Sequence, residues 1–270
     1  MVELLFEELT HQIIGAYYDV FNNTGREYPE YVYESALEQE LLSRRIPCRR
    51  QLSCEVQYKD QSIGAQRLDL LVAEKVIVEL KVNHQLSALN DAQLLSYLKV
   101  FDKKVGLLCN YGGAAPEFKR LIGQAHPVPP ARSQPERLTD AVSPRLLEPE
   151  LVYTVLGALY EVHSHLGPGF MRNLYANACY RELQERGIPA QPRRKIQVLY
   201  RNEPVASIPY AHIQIGRQIL LFPEAISDIN RIRFGNLRAW LRTVSIPLGI
   251  VANFHELSLR PVILKAWQDD

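Results

Sequence analysis

The sequence predicts an α/β (α+β) protein of two tandem units, each a mixed central sheet flanked by helices. Three observations carry this: one pattern written twice, a proline-rich break between the copies, and helical apolar spacing that gives way to strand-like runs. The repeat shows in "ELTHQIIGAYYDVFNNTG" from Glu8 and "ELVYTVLGALYEVHSHLG" from Glu150, where Gly15 answers Gly157 and Gly25 answers Gly167, 142 positions on. Tyr33 and Tyr175, Ala36 and Ala178, Glu40 and Glu182, and Tyr58 and Tyr200 continue it. Near the end of each copy the offset becomes 143, matching Gly106 with Gly249 and Asn110 with Asn253. Such a period is well above that of solenoid repeats and marks a duplicated domain. The break, "HPVPPARSQPERLTDAVSP" from His126 to Pro144, lacks apolar periodicity and reads as a linker. The expected organisation is therefore a first domain over 1–126, a linker over 127–145 and a second domain over 146–270.

Each copy then reads in the same order. Leu9, Ile13, Ala16, Tyr17 and Val20 are spaced as one face of a first helix that stops near Gly25. A second helix is expected from about Pro29 to Arg45, with Val32, Ala36, Leu37 and Leu41 on one face. Strands are expected at "CEVQYKD", "RLDLLVA" and "KVIVELKV", then a helix through "LNDAQLLSYLKVFD" and a last strand "KVGLLCNYG".

Composition narrows the function classes. The 270 residues carry a formal net charge of +1 and are 47% apolar, enough for one large or two modest cores. No apolar run approaches the roughly 18 residues of a membrane span, and "MVELLFEELTHQ" has acids where a signal peptide has Lys or Arg. A cytoplasmic protein without membrane association is expected. Cys48, Cys54, Cys109 and Cys179 form no C-x-x-C pair, which points to reduced thiols rather than a disulfide framework or a zinc site.

The chemistry concentrates in "RLDLLVAEKVIVELK", Arg67 to Lys81. Pairing Val72 with Val76 across a three-residue connection sets Asp69 against Glu79 and puts both on one face with Lys81. Two carboxylates so opposed repel each other, and burial worsens the conflict. Two resolutions stand. One is a hard divalent cation such as Mg²⁺ or Mn²⁺; the other is a structural Asp–Lys–Glu network in which the lysine alone neutralises the pair.

Asp69, then Glu79-Leu80-Lys81 on the next strand, then Gln93 in "AQLLSYL", resembles the PD-(D/E)XK nuclease superfamily and, within it, the GxxExxY proteins. In "GREYPEYVYESALEQELLSRRIP", Glu30 and Tyr33 take the glutamate and tyrosine places of that signature, while Glu27 stands at its glycine place. The resemblance covers about the first 125 residues and implies restriction-endonuclease-like units that cut phosphodiester bonds in nucleic acid, DNA before RNA. It also implies that Asp69, Glu79 and the backbone carbonyl of Leu80 hold Mg²⁺ or Mn²⁺, and that Lys81 orients or activates water. Glu30 would be an additional acid, and Gln93 would steady the lysine, the water or the nucleic-acid backbone.

The second copy serves as an internal comparison. At the 142 offset Asp69 falls on Ala211, Glu79 on Leu221, Lys81 on Pro223 and Glu30 on Arg172, and at the 143 offset Gln93 falls on Asn236. The second domain is thus expected to be a degenerate twin lacking the acids, and the two copies could pair as an intramolecular pseudo-dimer. Its charge differs too: residues 1–126 carry net −3 and residues 146–270 net +3. On "INRIRFGNLRAWLR", Arg231, Arg238 and Arg242 are spaced to share one helix face, a nucleic-acid-binding stripe or simply a solvated surface. The alternative to a nuclease is a non-catalytic scaffold that keeps the fold and binds nucleic acid or protein.

Overall fold

The computed structural model describes residues 5–123, 148–201 and 203–267. The chain divides between Val128 and Pro129 into two compact units. The expected linker, 127–145, lies outside the described residues.

The first unit runs α1 (Glu7–Asn23), α2 (Glu30–Ser43), β1 (Cys48–Tyr58), β2 (Gln61–Val72), β3 (Val76–Lys81), α3 (Ala88–Val100), β4 (Val105–Asn110) and β5 (Glu117–Ile122). Its sheet has the order β1-β2-β3-β4-β5, and only the β3–β4 pairing is parallel. The second unit repeats this with α4 (Pro149–Leu166), α5 (Arg172–Glu185), β6 (Ala190–Tyr200), β7 (Glu203–Ile215), β8 (Ile219–Glu224), a 3₁₀ turn (Ile229–Arg231), α6 (Phe234–Thr243), β9 (Leu248–Asn253) and β10 (Val262–Lys265). Its sheet has the equivalent order β6-β7-β8-β9-β10, with β8 and β9 parallel. Both mixed, helix-flanked sheets match the fold class read from the sequence. Among the described residues, no helix is long and apolar enough to cross a membrane.

The α1 stripe is as spaced: Ile13, Ala16, Tyr17 and Val20 are buried. On α2 the deepest positions are Tyr33, Leu37 and Leu41, while Val32 and Ala36 flank the core half-buried. These faces pack on Leu70, Val72, Val78, Leu80, Leu107 and Cys109 from the central strands. A shared aromatic clamp fixes the α1–α2 turn. Tyr33 stacks on Tyr111 at 4.5 Å and donates its hydroxyl hydrogen to the Gly25 carbonyl at 2.9 Å; Tyr175 stacks on Phe254 at 4.5 Å and donates to the Gly167 carbonyl at 2.7 Å. Within that turn Glu27, at the glycine place, adopts φ 64°, and its counterpart Gly169 has φ 108°. The turn is kept on a residue that pays a steric penalty there.

Three readings need correction. β5 and β10 are edge strands beyond the expected last strand: "EFKRLI" is only half-buried throughout most of its length and shows no apolar alternation. The arginine helix is broken. Arg231 closes a 3₁₀ turn whose Asp228 side chain accepts from the Asn230 amide, and α6 begins only at Phe234, so Arg231 shares no helix face with Arg238 and Arg242. Arg242 is in part occupied within its own unit, donating to the Ala266 carbonyl at 2.9 Å.

The third concerns register. β1 pairs with β2 in one constant register from Cys48–Val72 to Val56–Gly64, with no ladder pair at Gln51–Asp69. β6 and β7 slip by one residue between Arg193–His212 and Lys195–Pro209, so β7 holds one extra residue at Tyr210–Ala211. From there the offset is already 143: Leu70–Val78 corresponds to Ile213–Leu221, and Ile77–Gly106 to Leu220–Gly249. The position of Asp69 is therefore taken by His212, not Ala211, that of Glu79 by Phe222, not Leu221, and that of Lys81 by Glu224, not Pro223.

Candidate active site

The β2–β3 hairpin has the expected register, with Leu70 opposite Val78, Leu71 opposite Ile77 and Val72 opposite Val76. One step further the side chain of Asp69 takes over from the backbone, as its Oδ2 accepts from the Leu80 amide at 2.8 Å. Along its whole length β3 also pairs with β4 on its other side, Glu79 lying opposite Leu108 and Lys81 opposite Asn110. The strand run that sequence reads as apolar therefore presents two acids where the hairpin opens.

Glu79 is 3% exposed. Its Oε1 accepts from Lys81 Nζ at 2.7 Å and from Gln93 Nε2 at 3.0 Å, whereas its Oε2 is buried with no hydrogen-bond partner. Gln93 reaches the site from α3, in the turn before Tyr97, whose hydroxyl takes the amide's second hydrogen bond at 2.9 Å. The Tyr97 hydroxyl also accepts from Gln66 Nε2 at 3.2 Å. A buried carboxylate oxygen left unpaired is costly unless something of opposite charge meets it.

Electrostatics point the same way. Burial raises the Asp69 carboxyl to about 8, and the neighbouring Glu79 charge adds to the rise, against the Leu80 amide and Lys81. Burial likewise raises Glu79, opposed by Lys81, with Glu30 and Glu34 adding to the rise. Burial works against charge on Lys81, but Glu79, Glu30 and Asp69 more than offset it and hold the ammonium above its ordinary range. Glu30, at the start of α2, thus joins the field of the cluster while remaining exposed at the surface.

Sequence reasoning missed Glu34. One turn beyond Glu30 and 4% exposed, it adds its charge to both Asp69 and Glu79, accepts a short hydrogen bond from Gln51 Nε2 and lies 3.7 Å from Arg50. The available signal was the i, i+4 spacing of Glu30 and Glu34, which places both on one helix face. Three carboxyl groups, Glu79, Glu30 and Asp69, thus act on Lys81, and a fourth, Glu34, acts on the two strand acids. A hard divalent cation fits this donor set: two buried strand acids, one with an orphaned oxygen, whose ionised forms burial and neighbouring carboxyls disfavour until a cation meets them. Among the described residues no three His, Cys, Asp or Glu side chains gather as a metal cage, so any such ion would draw the rest of its shell from backbone or water.

The second unit fills the same place differently. His212 stacks on Phe222 at 5.6 Å, and burial lowers the imidazole's proton affinity. Glu224, 3% exposed, accepts the Tyr210 hydroxyl on Oε1, while Arg172 lies 3.6 Å from its Oε2 and 4.2 Å over the Tyr210 ring. Neither strand acid has an acidic counterpart, His212 and Phe222 standing in their places; what changes from the sequence alignment is the lysine's place, which holds an acid, Glu224, matched to a base, Arg172, in the place of Glu30. Asn236, in the Gln93 position, lies on the first turn of α6.

A profile of the PD-(D/E)XK nuclease superfamily matches residues 7–121 and again residues 149–265. The chain belongs to this superfamily. Its duplication is therefore one of whole PD-(D/E)XK units. Among curated proteins there is no match. A solved structure titled "Crystal structure of SSO0001" aligns at 12% identity over 44% of this chain and 78% of that chain, with a TM-score of 0.27.

Proposed function

We propose that the first unit hydrolyses phosphodiester bonds in nucleic acid, DNA in preference to RNA, in the cytoplasm, and that it is a member of the GxxExxY group of the PD-(D/E)XK nucleases. The superfamily's acid and acid-x-lysine pattern would stand here as Asp69 and Glu79-Leu80-Lys81. The observation that carries the reading is the buried, unpartnered Oε2 of Glu79 within a cluster of four acids and one ammonium.

Asp69, Glu79 and the Leu80 carbonyl would hold Mg²⁺ or Mn²⁺, which when bound lowers the pKa of water and stabilises charge at phosphorus. The chain's own groups do the positioning. The Leu80 amide orients Asp69, and Gln93 with Lys81 fixes one oxygen of Glu79, leaving the other available. Lys81 is held protonated by its acidic neighbours, so Nζ acts as a donor. It would orient the attacking water or a phosphate oxygen and offset phosphate charge. Glu30 keeps Lys81 charged from the α2 side.

Plasmid nicking with Mg²⁺ tests this. Wild type should nick, and Asp69→Ala, Glu79→Ala and Lys81→Ala should each fall by roughly a hundredfold or more. Equal residual nicking in all four would reveal a contaminating nuclease and end the assignment. A second reading is a binding scaffold that keeps the fold and does not cleave, in which Lys81 with Gln93 alone stabilises Glu79. Mn²⁺ titration separates them, since binding that disappears in Asp69→Ala supports the enzyme and no binding in wild type supports the scaffold.

A further inference from the structure

Beside the acid cluster, on the outer side of α2, lies an open groove of about 390 Å³ lined by Tyr31, Val32, Ser35, Ala36, Gln39 and Arg50. Its lining combines three kinds of group. Tyr31 is 64% exposed, an aromatic face left in water one residue after Glu30. Gln39 is an exposed amide, able to donate and accept at once. Arg50 crosses from β1 and ties the groove to the cluster: its Nε donates to Glu38 at 3.0 Å, and Nη1 lies 3.7 Å from Glu34. Its Nη2 has no hydrogen-bond or ion-pair partner among the described residues. Val32, Ala36 and Ser35 form a small, mostly apolar floor.

The second unit offers a test of whether the fold requires these groups. In α5 and β6, where the 142 offset holds, the floor stays apolar, Val32 and Ala36 answering to Leu174 and Ala178. The three distinctive groups do not persist: Tyr31, Gln39 and Arg50 answer to Asn173, Arg181 and Pro192. They change together with the acids, in a unit that keeps the Tyr33-type clamp and the same sheet. Folding therefore explains the floor and leaves the aromatic, the amide and the guanidinium to be explained by something else.

We propose that this groove is the subsite for one unpaired nucleobase of the substrate strand, with Tyr31 as the stacking platform, Gln39 at the base edge and Arg50 at the flanking phosphate. The proposal rests on the nuclease reading for the name of its ligand. Aromatic stacking accepts any base face, and Arg50, its Nε and Nη1 turned to Glu38 and Glu34, offers a phosphate oxygen the single donor Nη2. A base inside a duplex has both faces covered, so the subsite selects single-stranded nucleic acid or the unpaired end of a flap.

The full chain carrying Glu79→Gln, which silences cleavage, is titrated with fluorescein-labelled dT12 and with a 12-base-pair duplex. Single-strand binding should exceed duplex binding. Adding Tyr31→Ala should weaken dT12 binding by about tenfold, with Tyr31→Phe close to the parent and Gln39→Ala intermediate. On a dT12 backbone made entirely of abasic sites, Tyr31→Ala and the parent should bind alike. Both side chains are exposed, and unchanged far-ultraviolet circular dichroism verifies folding. Equal dT12 affinity of parent and Tyr31→Ala, a duplex preference, or no dT12 binding by the parent overturns the subsite. Because no cleavage enters these measurements, wild type that fails to nick plasmid removes the nuclease reading alone.

Discussion

At the same point of the same fold, the first unit assembles acids around a lone ammonium and the second assembles one acid against one arginine. In the first, Glu79 keeps a buried oxygen without a partner and Asp69 holds its proton to about 8. In the second, both oxygens of Glu224 are engaged, by Tyr210 and by Arg172. The signs are exchanged between the same two places: Glu30 lies in the field of Lys81, whereas Arg172 lies 3.6 Å from Glu224. A neutral, fully partnered cluster is a structural solution, and an acid-rich one with a vacant oxygen lowers stability unless a cation completes it. The difference between copies thus separates what the fold requires from what it does not.

The comparison can be broken most decisively by activity. Glu79→Gln should lower nicking by about a hundredfold or more, whereas Phe222→Leu in the second unit should leave it unchanged. Loss of nicking in the second variant would show that both units do chemistry. A pH series on chelator-treated protein sharpens the contrast. Folding raises the Asp69 carboxyl from 3.8 to about 8, so its contribution to stability is complete below about 4 and is lost as pH rises toward 8. Asp69→Asn should flatten that slope between pH 5 and 9 in thermal unfolding. A slope unchanged by the substitution would place the raised carboxyl elsewhere.

Smaller effects test the scaffold. Arg172→Ala leaves Glu224 buried with half its partners and should destabilise the second unit by about 2 kcal/mol. Glu30→Ala relieves like charge and should leave the metal-free first unit as stable as before or slightly more so. Both tryptophans, Trp240 and Trp267, lie in the second unit, so indole fluorescence follows that unit's unfolding while circular dichroism follows both. Glu27→Gly should stabilise the first unit by about 1 kcal/mol by removing a left-handed side chain, and Gly169→Ala should cost the second a similar amount. No change in denaturant midpoint for either would mean that the turn relaxes freely.

Much of this was legible in the residues. The α1 stripe, the Val72–Val76 hairpin register and the duplication follow from spacing alone, because burial on one face imposes a period. The extra residue of β7 was not, since a bulge leaves the apolar alternation on either side intact and only backbone pairing reveals the slip. Glu34 was hidden for a related reason: a glutamate in a helix reads as solvated surface until the partner strand is in place. The arginine stripe failed because periodicity ignores the Asp228-capped turn that ends before Ile232 and restarts the helix at Phe234. The edge strand β5 carries charges at Lys119 and Arg120, as unprotected sheet margins do, and so hides its own extended backbone from apolar counting.

The bulge at Tyr210–Ala211 has a further consequence. In a pleated ribbon an inserted residue normally turns every following side chain over, yet here the local kink absorbs it, and the segment from His212 onward still meets β8 in step. Such an insertion repositions the group that projects where the hairpin parts, Tyr210 being drawn to Glu224. The corresponding stretch of β2 has no such latitude. A residue gained between Arg67 and Leu70 would swing Asp69 away from the Leu80 amide, so the first copy should tolerate substitutions along this strand far better than changes in its length.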